Sequence, residues 1–303
     1  MDQKGMKMSK SLGNTINPLD LMRDSGADIL RLWALTVDFT EDHRIGKEIL
    51  QGVSDQYRKL RNTFRYLLGA LDGFSDAEKV EVADMPELER YMLHLLADMD
   101  VKLRQAVDDF DFNNYVRLLT DFANEDLSAF FFDIRKDSLY CDAATDPKRM
   151  AYRMVLDTLF HALVRYAAPM LVFTSEEVWQ TRFPDADSVH FSDWPKVDAG
   201  WIDTKLAENW GRIRGARMLA NELIEPMRRN KEIGSSLEVE YSYSGDAGEI
   251  DVAEIFIVSA VHLGREEGAV KTANHKCGRC WRHLPEVVDD GALCGRCADV
   301  VGG

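Results

Sequence analysis

The run Lys7-Met8-Ser9-Lys10-Ser11 carries the residue types and spacing that suit chemistry on phosphate. Its two lysines stand three apart, with Lys4 upstream and Gly5 and Gly13 on either side. Such a cationic loop can lie over a polyphosphate and neutralise charge as it leaves. Composition alone favours the plainer reading, a solvated amino terminus. A second chemical pattern closes the chain: Cys277-Gly278-Arg279-Cys280-Trp281 and Cys294-Gly295-Arg296-Cys297, with thirteen residues between the pairs. Two such pairs suit one tetrahedral zinc, because each turn brings two thiolates to about 2.3 Å from the metal. Four sulfur ligands leave no open position, so this ion, one per chain, is structural and activates no water. His275 and His283 are not needed as ligands, and Cys141 is a fifth thiol without a partner.

A net charge of −15 argues against indiscriminate nucleic-acid binding, since so acidic a chain repels phosphate at long range. Any RNA contact is therefore local. Residues 56–71 carry Arg58, Lys59, Arg61 and Arg65 with no acid. Residues 204–231 hold seven cations against three acids, and 264–283 hold five against two. This segregation reads either as a basic track on an acidic body or as solvated helix faces. With 46% hydrophobic residues over 303 positions, the chain is globular and holds two or three modules. It has no run of eighteen apolar residues and no secretion signal, so we expect a cytoplasmic monomer with no membrane contact.

The elements that must position these residues are mostly helical. Asn17 before Pro18 marks a helix start, and Ser25-Gly26-Ala27-Asp28 reads as a cap opening a second short helix through Trp33. From about Gly46 to Leu71, Ile49, Leu50, Val53, Tyr57, Leu60, Phe64, Leu67 and Leu71 recur at helical spacing, opposite the first basic cluster. Further helices are expected over 86–108, from Asp111 through Ile134, and from Pro147 to Pro169. Thr174-Ser175-Glu176-Glu177 has capping-box form and opens a short one through Arg182. A long helix starts near Thr204, and Pro226 must kink or end it. Beyond Gly234 the period changes: Leu237–Tyr243 alternates as a half-buried strand, and Ile255–Val261 reads as a more buried one. The fold class is mainly α: an antiparallel helical bundle, then a small α+β module and a four-cysteine zinc-binding tip. The expected divisions are 1–45 loop and connector, 46–200 bundle, 201–264 long helix and α+β module, and 265–303 zinc module.

The run from Lys7 through Ser11 with Leu12-Gly13-Asn14, together with Asn17-Pro18-Leu19-Asp20 and Gly26-Ala27-Asp28-Ile29-Leu30-Arg31-Leu32-Trp33, resembles the signature loop and following segment of class I aminoacyl-tRNA synthetases. Ile233-Gly234-Ser235-Ser236-Leu237-Glu238 and the two cysteine turns resemble the isoleucyl members in particular. The resemblance implies that Lys10 approaches ATP, with Lys7 as helper, while adenylate forms and pyrophosphate leaves. It also implies a bundle that binds the tRNA(Ile) anticodon, with valyl- or methionyl-type enzymes, or a stand-alone zinc-containing RNA-binding protein, as alternatives. Arg58, Arg61, Asn62 and Arg65, with Tyr57, are the candidate RNA contacts, since arginine pairs with phosphate or stacks on an unpaired base. Arg279, Trp281, Arg282 and Arg296 on the metal turns are further candidates, with Trp281 equally suited to shielding the zinc. No nucleotide-binding pattern precedes Lys4, so ATP and isoleucine are expected to meet a catalytic domain encoded upstream. The chain alone is then expected to form no adenylate.

Overall fold

The computed structural model describes residues 1–302. Helix α1 (Pro18–Ser25) starts as the sequence indicates, with Asn17 Oδ1 accepting from Leu19 N at 3.1 Å and proline at the first helical position. Helix α2 (Ala27–Thr36) instead starts from Gly26 with no side-chain cap. Ser25 closes the preceding helix and the Asp28 carboxylate is buried elsewhere, so the expected cap does not form. Helix α3 (Lys47–Ala70) buries Leu50, Val53, Leu60, Phe64 and Leu67 of the periodic set that predicted it, while Ile49 and Tyr57 are half-buried. Helix α4 (Glu87–Asp108) closes with Phe110 N donating to Val107 O and Asp111 N to Ala106 O. This is the paired-bond helix ending that usually needs glycine, yet Phe110 occupies the left-handed position at φ 59°.

The helix expected from Asp111 through Ile134 is three segments. Asp111 caps α5 (Phe112–Asp121), the chain widens to a π-helix over Phe122–Phe131, and α6 (Phe132–Cys141) follows. Ser128 Oγ donates to Ala123 O, five residues back, in keeping with the wider turn. The widening advances the inward face so that Phe130, Phe131 and Phe132 are all buried. Helix α7 (Pro147–Ala167) follows its periodicity. Helix α8 (Val172–Arg182) begins two residues before Thr174, without a side-chain cap. Helix α9 (Thr204–Arg229), capped by Asp203, passes through Pro226 and ends within one turn of it.

Next, Ser235 and Glu238 form a reciprocal capping box on a short 3-10 turn that leads into β1 (Val239–Tyr243). Asp251 then caps α10 (Val252–Phe256), accepting from the amides of Ala253 and Glu254. The strand expected over Ile255–Val261 is thus largely displaced: Ile255 and Phe256 are helical, and β2 (Ala260–Leu263) forms only after a left-handed turn at Ile257. The carboxylate cap at Asp251 outweighs an apolar run that suits a buried helix as well as a strand. With β3 (Gly268–Lys271) the sheet order is β2-β1-β3, parallel to β2 and antiparallel to β3. The last helix is α11 (Gly295–Gly302).

The chain divides into two compact units. The first takes residues 1–76, 92–130 and 153–202. Its core holds Leu60, Phe64, Leu96, Leu103, Leu119, Leu156 and Phe160, and Asp100 accepts from Tyr166 OH at 2.6 Å and Trp194 Nε1 at 2.7 Å. The second takes 77–91, 131–152 and the residues from 203 onward. There Tyr91 stacks on Trp210 with centroids 5.4 Å apart, and Phe131 meets Tyr152 edge-on. Arg135, 3% exposed, makes a two-pronged pair with Glu89 at 2.7 and 2.8 Å and a third bond to Glu254 at 2.8 Å. Among the described residues no helix is long and apolar enough to cross a membrane.

Candidate nucleic-acid interface and metal centre

Ser9 organises the cationic loop. Its Oγ accepts from Leu12 N at 3.3 Å and caps the single 3-10 turn Lys10–Leu12, which Gly13 closes at φ 65°. Asn14 holds the base: its Oδ1 accepts from Ser9 N at 2.9 Å, while its Nδ2 donates to Asp2 Oδ2 at 2.9 Å and Lys7 O at 3.3 Å. That bond to Asn14, then the Met6 amide, hold the Asp2 carboxyl below its usual range. Lys7 and Lys10 are exposed, Ser11 Oγ lies 3.1 Å from Ser9 Oγ, and Met8 is half-buried. Sequence reasoning gave Asn14 no role. An amide side chain just after Gly13 was the available signal, since asparagine readily bonds nearby backbone.

On α3 the structure puts Arg58, Lys59, Arg61, Asn62 and Arg65 on one exposed face, because positions three and four apart share a side of a helix. Arg58 pairs with Asp55 at 3.3 Å and Arg61 with Glu177 at 3.6 Å, both at the surface where such pairs are readily exchanged. Arg61 and Arg65 edge a groove of about 320 Å³ completed by Leu68, Thr174, Glu177, Val178 and Thr181 of the same unit. Tyr57 turns inward from this face, its OH 3.0 Å from Thr174 Oγ1.

The two cysteine turns bring all four sulfurs within 4.8 Å of one another, each buried. Cys280 Sγ and Cys294 Sγ are 3.8 Å apart. A tetrahedron with bonds of about 2.3 Å has edges of about 3.8 Å, so the sulfurs fit a zinc ion. The donor chemistry fits as well. Burial pushes the Cys277 thiol up, but the amides of Cys294, Arg279 and Cys280 outweigh it and hold that thiol down at about 6. A Cβ at Gly278 would collide with the carbonyl of Gly291, so the turn needs glycine there. Burial raises the Cys141 thiol to about 11, which marks it as an inert packing group beside the centre.

The arginines of the metal turns divide. Arg279 donates to Cys141 O at 2.5 Å and Tyr140 O at 3.3 Å, the final carbonyls of α6, and reaches Cys297 Sγ at 3.7 Å. Arg296 forks onto Asp137 at 2.7 and 2.9 Å and onto Asp142 at 2.9 Å. Both turn inward and staple the metal module to α6. Trp281 is 62% exposed in a left-handed conformation at φ 65°, with Lys276 Nζ 5.2 Å from its ring centre. Arg282 is half-buried, and its carbonyl accepts from Cys277 N at 2.9 Å.

Family profiles match three stretches. Residues 1–46 match the class I tRNA synthetases (I, L, M and V), 89–243 the anticodon-binding domain of tRNA ligase, and 274–300 the zinc finger found in FPG and IleRS. The last match and the four-cysteine cluster together support a structural zinc. An isoleucine–tRNA ligase from Zymomonas mobilis subsp. mobilis is 57% identical over 100% of this chain and 34% of its own length. Another from Gluconobacter oxydans is 46% identical over 99% of this chain and 33% of its own. The chain thus spans about a third of the length of the curated relatives it matches. Among solved structures, the ternary complex of Agrobacterium radiobacter LeuRS with tRNA and LeuAMS superposes with TM-score 0.51 at 22% identity. It covers 67% of this chain and 24% of that one, a likeness of fold.

Proposed function

This chain belongs to the class I tRNA ligases, among the isoleucine–tRNA ligases, and from that premise we infer that it is the part that grips tRNA(Ile) and lends two lysines to ATP chemistry. In the reaction of the whole ligase, the isoleucine carboxylate attacks the α-phosphorus of ATP, pyrophosphate leaves, and tRNA then takes the acyl group. Lys10 supplies positive charge where it develops on the departing phosphates, and Lys7 supports it. Ser9 and Asn14 shape the loop that presents both. The structural zinc holds the two cysteine turns together, and a reducing cytoplasm suits its thiolates.

The observation that carries the RNA reading is the exposed cluster of Arg58, Lys59, Arg61, Asn62 and Arg65, four cations against the edge acids Asp55 and Glu177, on a chain of net charge −15. A strand of phosphates finds its favourable surface there while the acidic remainder rejects other approaches. At the metal end, Trp281 and Arg282 are the groups left to meet RNA, since Arg279 and Arg296 are occupied internally.

Binding of a tRNA(Ile) transcript across a salt series tests this. Four cations predict a log–log slope of about −3, falling towards zero when Arg58, Arg61 and Arg65 become alanine. A slope that ignores these substitutions would overturn the interface, and charging of a different tRNA by the whole ligase would overturn its specificity.

A further inference from the structure

Thr174 belongs to two arrangements at once. Its side chain lines the groove with Arg61 and Arg65. Its amide and hydroxyl also reach Asp28 Oδ2, at 2.8 and 2.7 Å. A carboxylate only accepts, so the threonine hydroxyl donates to Asp28 and accepts a hydrogen bond from Tyr57 OH. The bonds run in one direction, from α3 through α8 to α2. Asp28 is 5% exposed, and its other oxygen accepts from Phe173 N at 3.3 Å.

One turn further along α2, Arg31 donates to Pro169 O at 2.7 Å and Met170 O at 3.3 Å. Positions three apart share a helix face, so acid and base meet one corner together. The carboxylate takes the amides that open α8, where the helix dipole is positive. The guanidinium takes carbonyls just past α7, where it is negative. This contact sets α2 on the α7–α8 corner, and α1 and Asn17 link α2 to the loop of Lys7 and Lys10.

We propose that Asp28, through Thr174, is a positioning residue that ties the groove to the element bearing the lysine loop, so that RNA seated against Arg61 and Arg65 orders α2 and the loop. The proposal rests on the RNA reading of the groove. An occupant that shifts Thr174 strains or tightens bonds to a buried carboxylate, and a buried charge tolerates loss of its donors poorly.

Amide hydrogen exchange on the 303-residue chain, with and without a tRNA(Ile) transcript, tests it. RNA is expected to slow exchange at 58–65 and also, about tenfold, at 27–31 and 9–14. Asp28→Asn and Thr174→Val should confine the slowing to 58–65, whereas Thr174→Ser, which keeps the hydroxyl, should retain it throughout. Slowing at 27–31 and 9–14 that persists in Thr174→Val, or is missing from the unaltered chain, would overturn the positioning role. Absence of slowing at 58–65 in the unaltered chain would instead overturn the groove reading itself.

Discussion

Arg135 is a buried cation shared by two carboxylates of the second unit. Glu89 and Glu254 both face it, and Lys148 adds a bond to Glu254 at 3.1 Å. Burial opposes ionisation of Glu254, but Arg135 and then Lys148 outweigh it and keep its carboxyl below the ordinary range. Arg135→Leu strips the buried Glu89 of its paired cation and leaves Glu254 to Lys148 alone, and should cost about 3–5 kcal/mol in urea unfolding. The exposed arginines of α3 should instead change RNA affinity with little effect on stability. The sequence distinguished these two kinds of arginine poorly. Arg279 and Arg296 sit beside metal ligands and suggest presentation to a partner, yet both are consumed by α6 and its flanking acids. Side-chain direction depends on what lies across the fold, and residue spacing carries none of that.

Among the elements, α3 and α7 were legible because long apolar periods leave little choice of face. Short segments were not. The start of α8 was sought at a capping box, but the amide of Thr174 is satisfied by a carboxylate 146 positions away. The apolar run after Asp251 became a helix because its cap is local and its strand partners are distant. At the end of α4, Phe110 occupies a left-handed position while 65% exposed, so little burial offsets the strain. Phe110→Gly should therefore raise stability by about 0.5–1 kcal/mol, read as a higher midpoint in chemical unfolding.

For the molecule as a whole, the class of fold and the metal module were readable from the ends inward, whereas the three-part course of the 111–141 helix was not. A π-helical stretch has no composition of its own; here it accompanies three consecutive phenylalanines that are all buried. The metal module should act on more than its own turns. A strong chelator should release one zinc per chain and, with it, speed amide exchange at the end of α6 where Arg279 and Arg296 are anchored. Metal loss with unchanged exchange there would show that the staple holds without the ion. The path of the backbone adds a consequence of another kind. Three stretches of sequence alternate to make each unit, and the switches near 91 and 152 fall inside α4 and α7. No single scission can yield either unit intact, so recombination and gene fission at those points should be unproductive, and descent should hand this region on as one indivisible inheritance.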